Sequence, residues 1–184
     1  MRRVHDFRKS EPIGKKYEIE MVKAWPHLFE LYEGGNEYDL NVLLDSVKKS
    51  LELKTEHGYT LQPGFPKPHV PRSTINIFIE TKGNADKKGS LGGPFKAYED
   101  LVDFYAHLFP HPADRVLFLF TDLAALNIRC YDLIARLPKW VRDNPIPVYN
   151  TEHVTLGYAL PIQEFADLFV KIKLGDKNIL KYLL

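Results

Sequence analysis

Tyr38-Asp39-Leu40-Asn41-Val42-Leu43-Leu44-Asp45-Ser46-Val47-Lys48-Lys49-Ser50-Leu51-Glu52-Leu53-Lys54-Thr55-Glu56 reads as a β-hairpin with one apolar and one charged face. A turn over Asp45–Lys48 sets Leu44 opposite Lys49, Val42 opposite Leu51 and Leu40 opposite Leu53. Because strand side chains alternate, those apolar residues share one side of the ribbon. The other side carries Asp39, Asn41 and Leu43, then Glu52, Lys54 and Glu56. In this register Asp39 faces Lys54 and lies diagonal to Glu52, within side-chain reach. Two carboxylates and a lysine are thus expected to converge beside a strand whose other face is core.

That grouping suits metal-dependent phosphodiester hydrolysis. Mg²⁺ takes hard oxygen ligands and is usually held by one or two carboxylates, with water and substrate phosphate completing the octahedron. The ion polarises the phosphoryl group and acidifies water. A lysine two residues along the strand can orient that water or neutralise developing charge. Solvated hairpins also carry Glu and Lys, so the motif gains its meaning from the buried face beside it.

Asp39 followed by Glu52-Leu53-Lys54 on the next strand resembles the PD-(D/E)XK nuclease superfamily, the restriction-endonuclease-like fold. The likeness is greatest to its small phage-type members, in which a strand like Ile75-Asn76-Ile77-Phe78-Ile79-Glu80 follows the motif. Tyr38 stands where the proline of the motif's name would be. The family's layout is a helix, a three-strand meander carrying the motif, another helix and a further strand. The chain can be read in that order from about residue 13 to about residue 122. The resemblance implies an α/β single domain, a central mixed sheet flanked by helices, with 123–184 as a helix/strand/helix extension. It also implies a Mg²⁺- (or Mn²⁺-) dependent endonuclease acting on nucleic acid, DNA before RNA. Asp39 and Glu52 would hold the metal, the Leu53 carbonyl would add a ligand and Lys54 would position the water. An acid on the first helix joins such sites in many members. Glu18 and Glu20 both qualify, and Glu18 aligns better with the helical stripe of Tyr17 and Met21. Many nucleases of this fold act as homodimers to cut both strands. A binding protein of the same fold without hydrolysis, and an unrelated α/β interaction domain with charged surface decoration, are the competing readings.

Bulk properties fit one domain. The 184 residues are 45% hydrophobic and 12% aromatic, enough for a core. Lys and Arg total 25 against 24 acidic residues, so any basic surface must be local. Two stretches qualify: Arg2, Arg3, Arg8, Lys9, Lys15 and Lys16, and then Lys82, Lys87, Lys88 and Lys96. The single Cys130 excludes an intramolecular disulfide and suits a reducing compartment. With no apolar leader and no run near ~20 apolar residues, the expectation is an intracellular, cytoplasmic protein off the membrane.

Along the chain the periodicity predicts a helix from Ile13 to Tyr32 interrupted at Pro26, a proline-rich loop over 58–73, and a strand over Thr74–Thr81. It then predicts a helix over Phe95–Phe109 and a buried central strand over Arg115–Phe120. A helix over Leu123–Leu137 with Asp122 as N-cap follows, then a strand over Thr155–Leu160 and a last helix over Ile162–Val170. The strands 38–44, 50–56, 74–80 and 115–120 are expected side by side. Glu80, closing its strand, faces either the site or solvent. His107 and His111 are four apart, but Pro110 separates them and no cysteine pair supports zinc. Gly89, Gly92 and Gly93 form no phosphate-binding loop, since no Gly-Lys-Ser/Thr follows.

Overall fold

A computed structural model describes residues 11–35, 37–45, 47–55, 76–110, 115–149 and 153–184. Among them, strands β1 (Phe29–Leu31), β2 (Leu40–Leu44), β3 (Val47–Thr55), β5 (Phe104–Pro110), β6 (Arg115–Phe120) and β9 (Phe169–Lys173) form a six-stranded sheet in the order β1-β2-β3-β5-β6-β9. Neighbours are antiparallel except β3 and β5, which run parallel. Strands β4 (Asn76–Lys82), β7 (Ile146–Tyr149) and β8 (Val154–Pro161) form a second sheet, ordered β4-β8-β7. Helices α1 (Glu11–Ala24), α2 (Gly93–Glu99), α3 (Leu123–Arg136), α4 (Lys139–Arg142) and α5 (Leu180–Leu183) complete the elements discussed below. This is the mixed α/β architecture, a central mixed sheet flanked by helices, that the sequence implies. None of the described helices is long and apolar enough to cross a membrane.

The hairpin forms with the expected faces but a tighter turn. Leu44 pairs with Val47, so the loop is two residues, and Asp45 takes φ 41° to close it. Leu40 consequently faces Leu51 rather than Leu53, and Val42 faces Lys49. The slip is two residues, and an even slip leaves every side chain on its own side. Leu40, Val42, Leu51 and Leu53 are buried with Met21 of α1, with Trp25 just after it, and with Ala106, Leu108, Leu117 and Leu119. Each such burial contributes about 1.5–3 kcal/mol. The opposite face of the sheet is covered by a second cluster in which Ile77 and Ile79 of β4, Phe95 of α2 and Leu126 of α3 meet Tyr105, Phe118 and Phe120. The charged side of β3 therefore faces a second packed layer.

Four expectations about elements change. The first helix stops at Ala24, before Trp25-Pro26, and residues 29–31 form edge strand β1 instead of helix. Trp25 Nε1 donates to the Asp176 carbonyl at 2.9 Å, pinning the end of that helix to the C-terminal segment. Residues 95–109 do not make one helix: α2 ends at Glu99, and 104–110 form β5, the parallel neighbour of β3. The stop is a Schellman motif: the Val102 N–H donates to Ala97 O (2.9 Å) and the Leu101 N–H to Tyr98 O (3.2 Å), with Leu101 at φ 57°. Glycine usually holds that position, and a leucine there hides the stop. Strand β4 is not beside β3, because β5 takes that edge; β4 pairs with β8 in the second sheet. Last, Ile162–Val170 is a 3₁₀ turn over Ile162–Phe165 followed by β9, which borders β6.

The remaining elements fall where the sequence puts them. Arg115–Phe120 is a strand inside the central sheet, and Val154–Pro161 is a strand. α3 begins after Asp122, whose Oδ1 accepts from the Ala125 N–H at 2.9 Å. The proline-rich stretch 58–73 lies outside the described residues, as does His111. His107 is on β5, so the two histidines share no helix.

Leu101 supplies a first prediction. Its side chain is 85% exposed, so removing it forfeits little packing. Leu101→Gly should relieve the left-handed backbone cost and raise stability by about 0.5–1 kcal/mol, net of the entropy glycine adds to the unfolded chain. Urea denaturation measures this, and a destabilised variant would contradict the assignment of strain.

Candidate active site

The pairing of β2 with β3 ends at Leu40 and Leu51, and the site begins there. Asp39 is fixed just past that last pair. Its N–H donates to Leu51 O (3.1 Å), and its carbonyl accepts from the Tyr32 N–H (3.1 Å). Further along β3 the N–H of Leu53 has no strand partner on this edge, and Asp39 Oδ2 accepts it at 2.7 Å. A strand residue's N–H and C=O leave from one edge, so the Leu53 carbonyl also opens toward Asp39. Asp39 and the Leu53 N–H thus meet just past the end of the β2–β3 pairing.

Glu52 and Lys54, two residues apart on β3, share the face of the sheet opposite Leu51 and Leu53. Lys54 Nζ contacts Glu52 Oε1 at 2.6 Å, with the two side chains 31% and 15% exposed. Asp39 feels both charges. Burial, then the negative charge of Glu52, push its carboxyl up to about 7, against the pull of Lys54 and of the Leu53 N–H. Glu18 of α1 adds a smaller push in the same direction. Glu20 is engaged elsewhere, in a 2.5 Å contact with Arg115 of β6. Glu18 pairs with Lys15 at 3.0 Å along its own helix. Of the two, Glu20 is the one held by a residue of the central sheet, and Glu18 is held within its own helix.

Two further residues act on Lys54 electrostatically. Burial opposes its charge, but Glu52, Glu80 and Asp39 outweigh burial and hold the ammonium well above the ordinary lysine range. Glu80 arrives from β4, in the second sheet, where the β4–β8 register shifts between Glu80 and Lys82. Such irregularities re-aim side chains beside functional sites. Tyr105 arrives from β5 as the register partner of Glu52, and so lies on its face. It is fully buried, and burial pushes its hydroxyl well above the usual tyrosine value, so it stays neutral. Sequence reading missed Tyr105, because the strand that carries it reads as helix.

The donor set is two carboxylates and a carbonyl, all hard oxygens, and this fits Mg²⁺ or Mn²⁺ better than a softer metal. The mutual repulsion that raises Asp39 is what a dication between Asp39 and Glu52 would relieve. No group of three or more His, Cys, Asp or Glu side chains that could hold a metal is assembled among the described residues. Of the basic residues singled out in the sequence, Lys15 and Lys16 of α1 line a groove of about 450 Å³ together with Ile19, Glu20 and Lys23. Lys87 and Lys88 are exposed, Lys82 is partly covered and Lys96 pairs with Asp100. Arg2, Arg3, Arg8 and Lys9 lie outside the described residues. Cys130 is buried, and its thiol is pushed up to about 12, which makes it an inert packing group.

No protein-family model, no curated protein and no solved structure matches this chain.

Proposed function

We propose that the protein is a metal-dependent nuclease hydrolysing phosphodiester bonds, a DNA endonuclease of the PD-(D/E)XK type. The observation that carries the reading is the convergence of Asp39, Glu52 and Lys54 at the end of the β2–β3 pair. The element order adds support. α1, β1, β2, β3, α2 and β5 follow the family's helix, meander, helix, strand layout, with β4 diverted into the second sheet between β3 and α2.

In this reading Asp39 and Glu52 hold Mg²⁺ and the Leu53 carbonyl contributes a third oxygen. When bound, Mg²⁺ supplies Lewis acidity, polarising the phosphoryl group and acidifying water. Lys54 orients that water and offsets charge on the phosphate as it develops. Glu18, close to Asp39, adds negative charge and steadies the cation side of the site. Tyr105, Phe120 and Ile79 form a buried floor that keeps bulk water away and strengthens each of these interactions. The lysines of α1 offer phosphate contacts, which set affinity and position rather than sequence choice. The protein would act inside the cell, on nucleic acid, with a homodimer as the means of cutting both strands.

The test is plasmid nicking with Mg²⁺ against an EDTA control. Metal-dependent conversion of supercoiled to nicked or linear DNA is the expected result. Binding of DNA with no cleavage under Mg²⁺ or Mn²⁺ would instead favour the hydrolysis-free binding protein of the same fold.

A further inference from the structure

Tyr105 poses a problem that its strand does not solve. Its side chain is fully buried, and its hydroxyl has no hydrogen-bond partner among the described residues. An unsatisfied buried hydroxyl is destabilising, and phenylalanine would fill the same space without that cost. The hydroxyl is nevertheless among charges: Lys54, Glu80 and Glu52 all act on it electrostatically. Lys54 is at present drawn to Glu52, at 2.6 Å. That contact occupies a carboxylate oxygen which, in the function proposed above, is needed for a cation.

We propose that Tyr105 and Glu80 are positioning residues that form a second cradle for Lys54, to which its ammonium passes when Glu52 turns to a divalent cation. The inference rests on the nuclease reading. Glu52 cannot serve both partners at close range, because ammonium and dication repel each other there. Lysine has three donors and a flexible four-carbon stem, so it can leave one acceptor for another by rotation alone. The β3–β5 register sets Tyr105 beside Glu52, two residues from Lys54 along the strand and so on the same face. Its hydroxyl can accept from the ammonium through a lone pair. Glu80 adds negative charge that favours the same ammonium, from a strand of the second sheet. In the metal-free protein Lys54 therefore guards Glu52. In the loaded one it stands against Tyr105 and Glu80, held at the height from which it can address water. The orphan hydroxyl is then a partner waiting for the second arrangement.

Two measurements test the handover, the first of them independent of activity. Stability to urea is measured for the wild type, Tyr105→Phe, Lys54→Met and the double variant, in EDTA and in saturating Mn²⁺. In EDTA, Tyr105→Phe should be neutral or stabilising, and the two sites should be uncoupled. In Mn²⁺ the same substitution should become destabilising only when Lys54 is present. The coupling should be on the order of tenfold in the unfolding equilibrium. The Glu80→Gln and Lys54→Met pair should behave alike. The second measurement is kinetic: Tyr105→Phe and Glu80→Gln should lower kcat on the order of tenfold, with KM and the Mn²⁺ binding constant unchanged. A purely structural tyrosine would not move kcat without moving stability in EDTA as well. Coupling that is the same with and without Mn²⁺ overturns the handover and leaves the nuclease reading standing. Failure of Mn²⁺ to stabilise the wild type at all overturns both.

Discussion

Glu52→Gln should abolish Mg²⁺-dependent cleavage, lowering the rate by at least about 100-fold. Glutamine keeps the shape and an oxygen acceptor but removes the charge that offsets a dication, and preorganised charge at such sites is worth factors of this size. The fold should survive, because glutamine keeps the side-chain volume and an oxygen that can still accept from Lys54. Lys54→Ala should depress turnover as strongly through a different step. Lysine is not a ligand, and its removal frees Glu52 from the 2.6 Å contact, so metal affinity should hold or increase. DNA binding should persist in both variants, since it draws on phosphate contacts away from these residues. Plasmid nicking in Mg²⁺, read against EDTA and at matched folding stability, separates the outcomes. Nicking at full rate in Glu52→Gln would place the chemistry elsewhere, and loss of metal binding in Lys54→Ala would remove lysine from the role assigned to it.

How much of this was readable beforehand depends on which physics is local. The two faces of β3 are written in its alternation, Leu51 and Leu53 against Glu52 and Lys54. They survive a register slip because the slip is even. The N-cap of α3 at Asp122 is equally local. β5 was hidden for the opposite reason. A strand buried on both faces loses its alternation, and the residues 104–108 are all buried, so the spacing of Tyr105 and Leu108 mimics a helical stripe. Leu101 in a left-handed conformation hid the break that precedes it. Tyr105 was lost with its strand. The partner of β4 is a tertiary choice between two available sheet edges, and nothing within residues 76–82 encodes it. Glu80 could therefore be named as a candidate but not given its neighbours. That Glu20 meets Arg115, ninety-five residues further on, was likewise invisible in the local pattern of the first helix.

Asp39→Asn should make the metal-free protein more stable above neutral pH while removing its response to Mg²⁺. In the folded protein burial and Glu52 raise the Asp39 carboxyl from the ordinary 3.8 to about 7, so the folded state binds this proton more tightly than the unfolded one. Stability associated with the group is therefore present at low pH and falls as pH rises from about 4 through 7, with the full cost borne above that. Asparagine has no proton to lose, and its Oδ1 can still accept from the Leu53 N–H that Asp39 now holds at 2.7 Å. The gain at pH 8 should be on the order of 2 kcal/mol, and it should vanish near pH 4. Mg²⁺ reverses the ranking. A cation bound a hundredfold above its dissociation constant stabilises the wild type by about 2.7 kcal/mol, and the variant, lacking one of two carboxylates, should gain little. Thermal denaturation at pH 5 and pH 8, in EDTA and in Mg²⁺, gives all four corners. An Asp39→Asn protein that is less stable at pH 8 without metal would mean that the carboxylate is a structural acceptor and not one of a repelling pair. The cost that Asp39 imposes on the empty fold is, in this view, the energy that cation binding recovers.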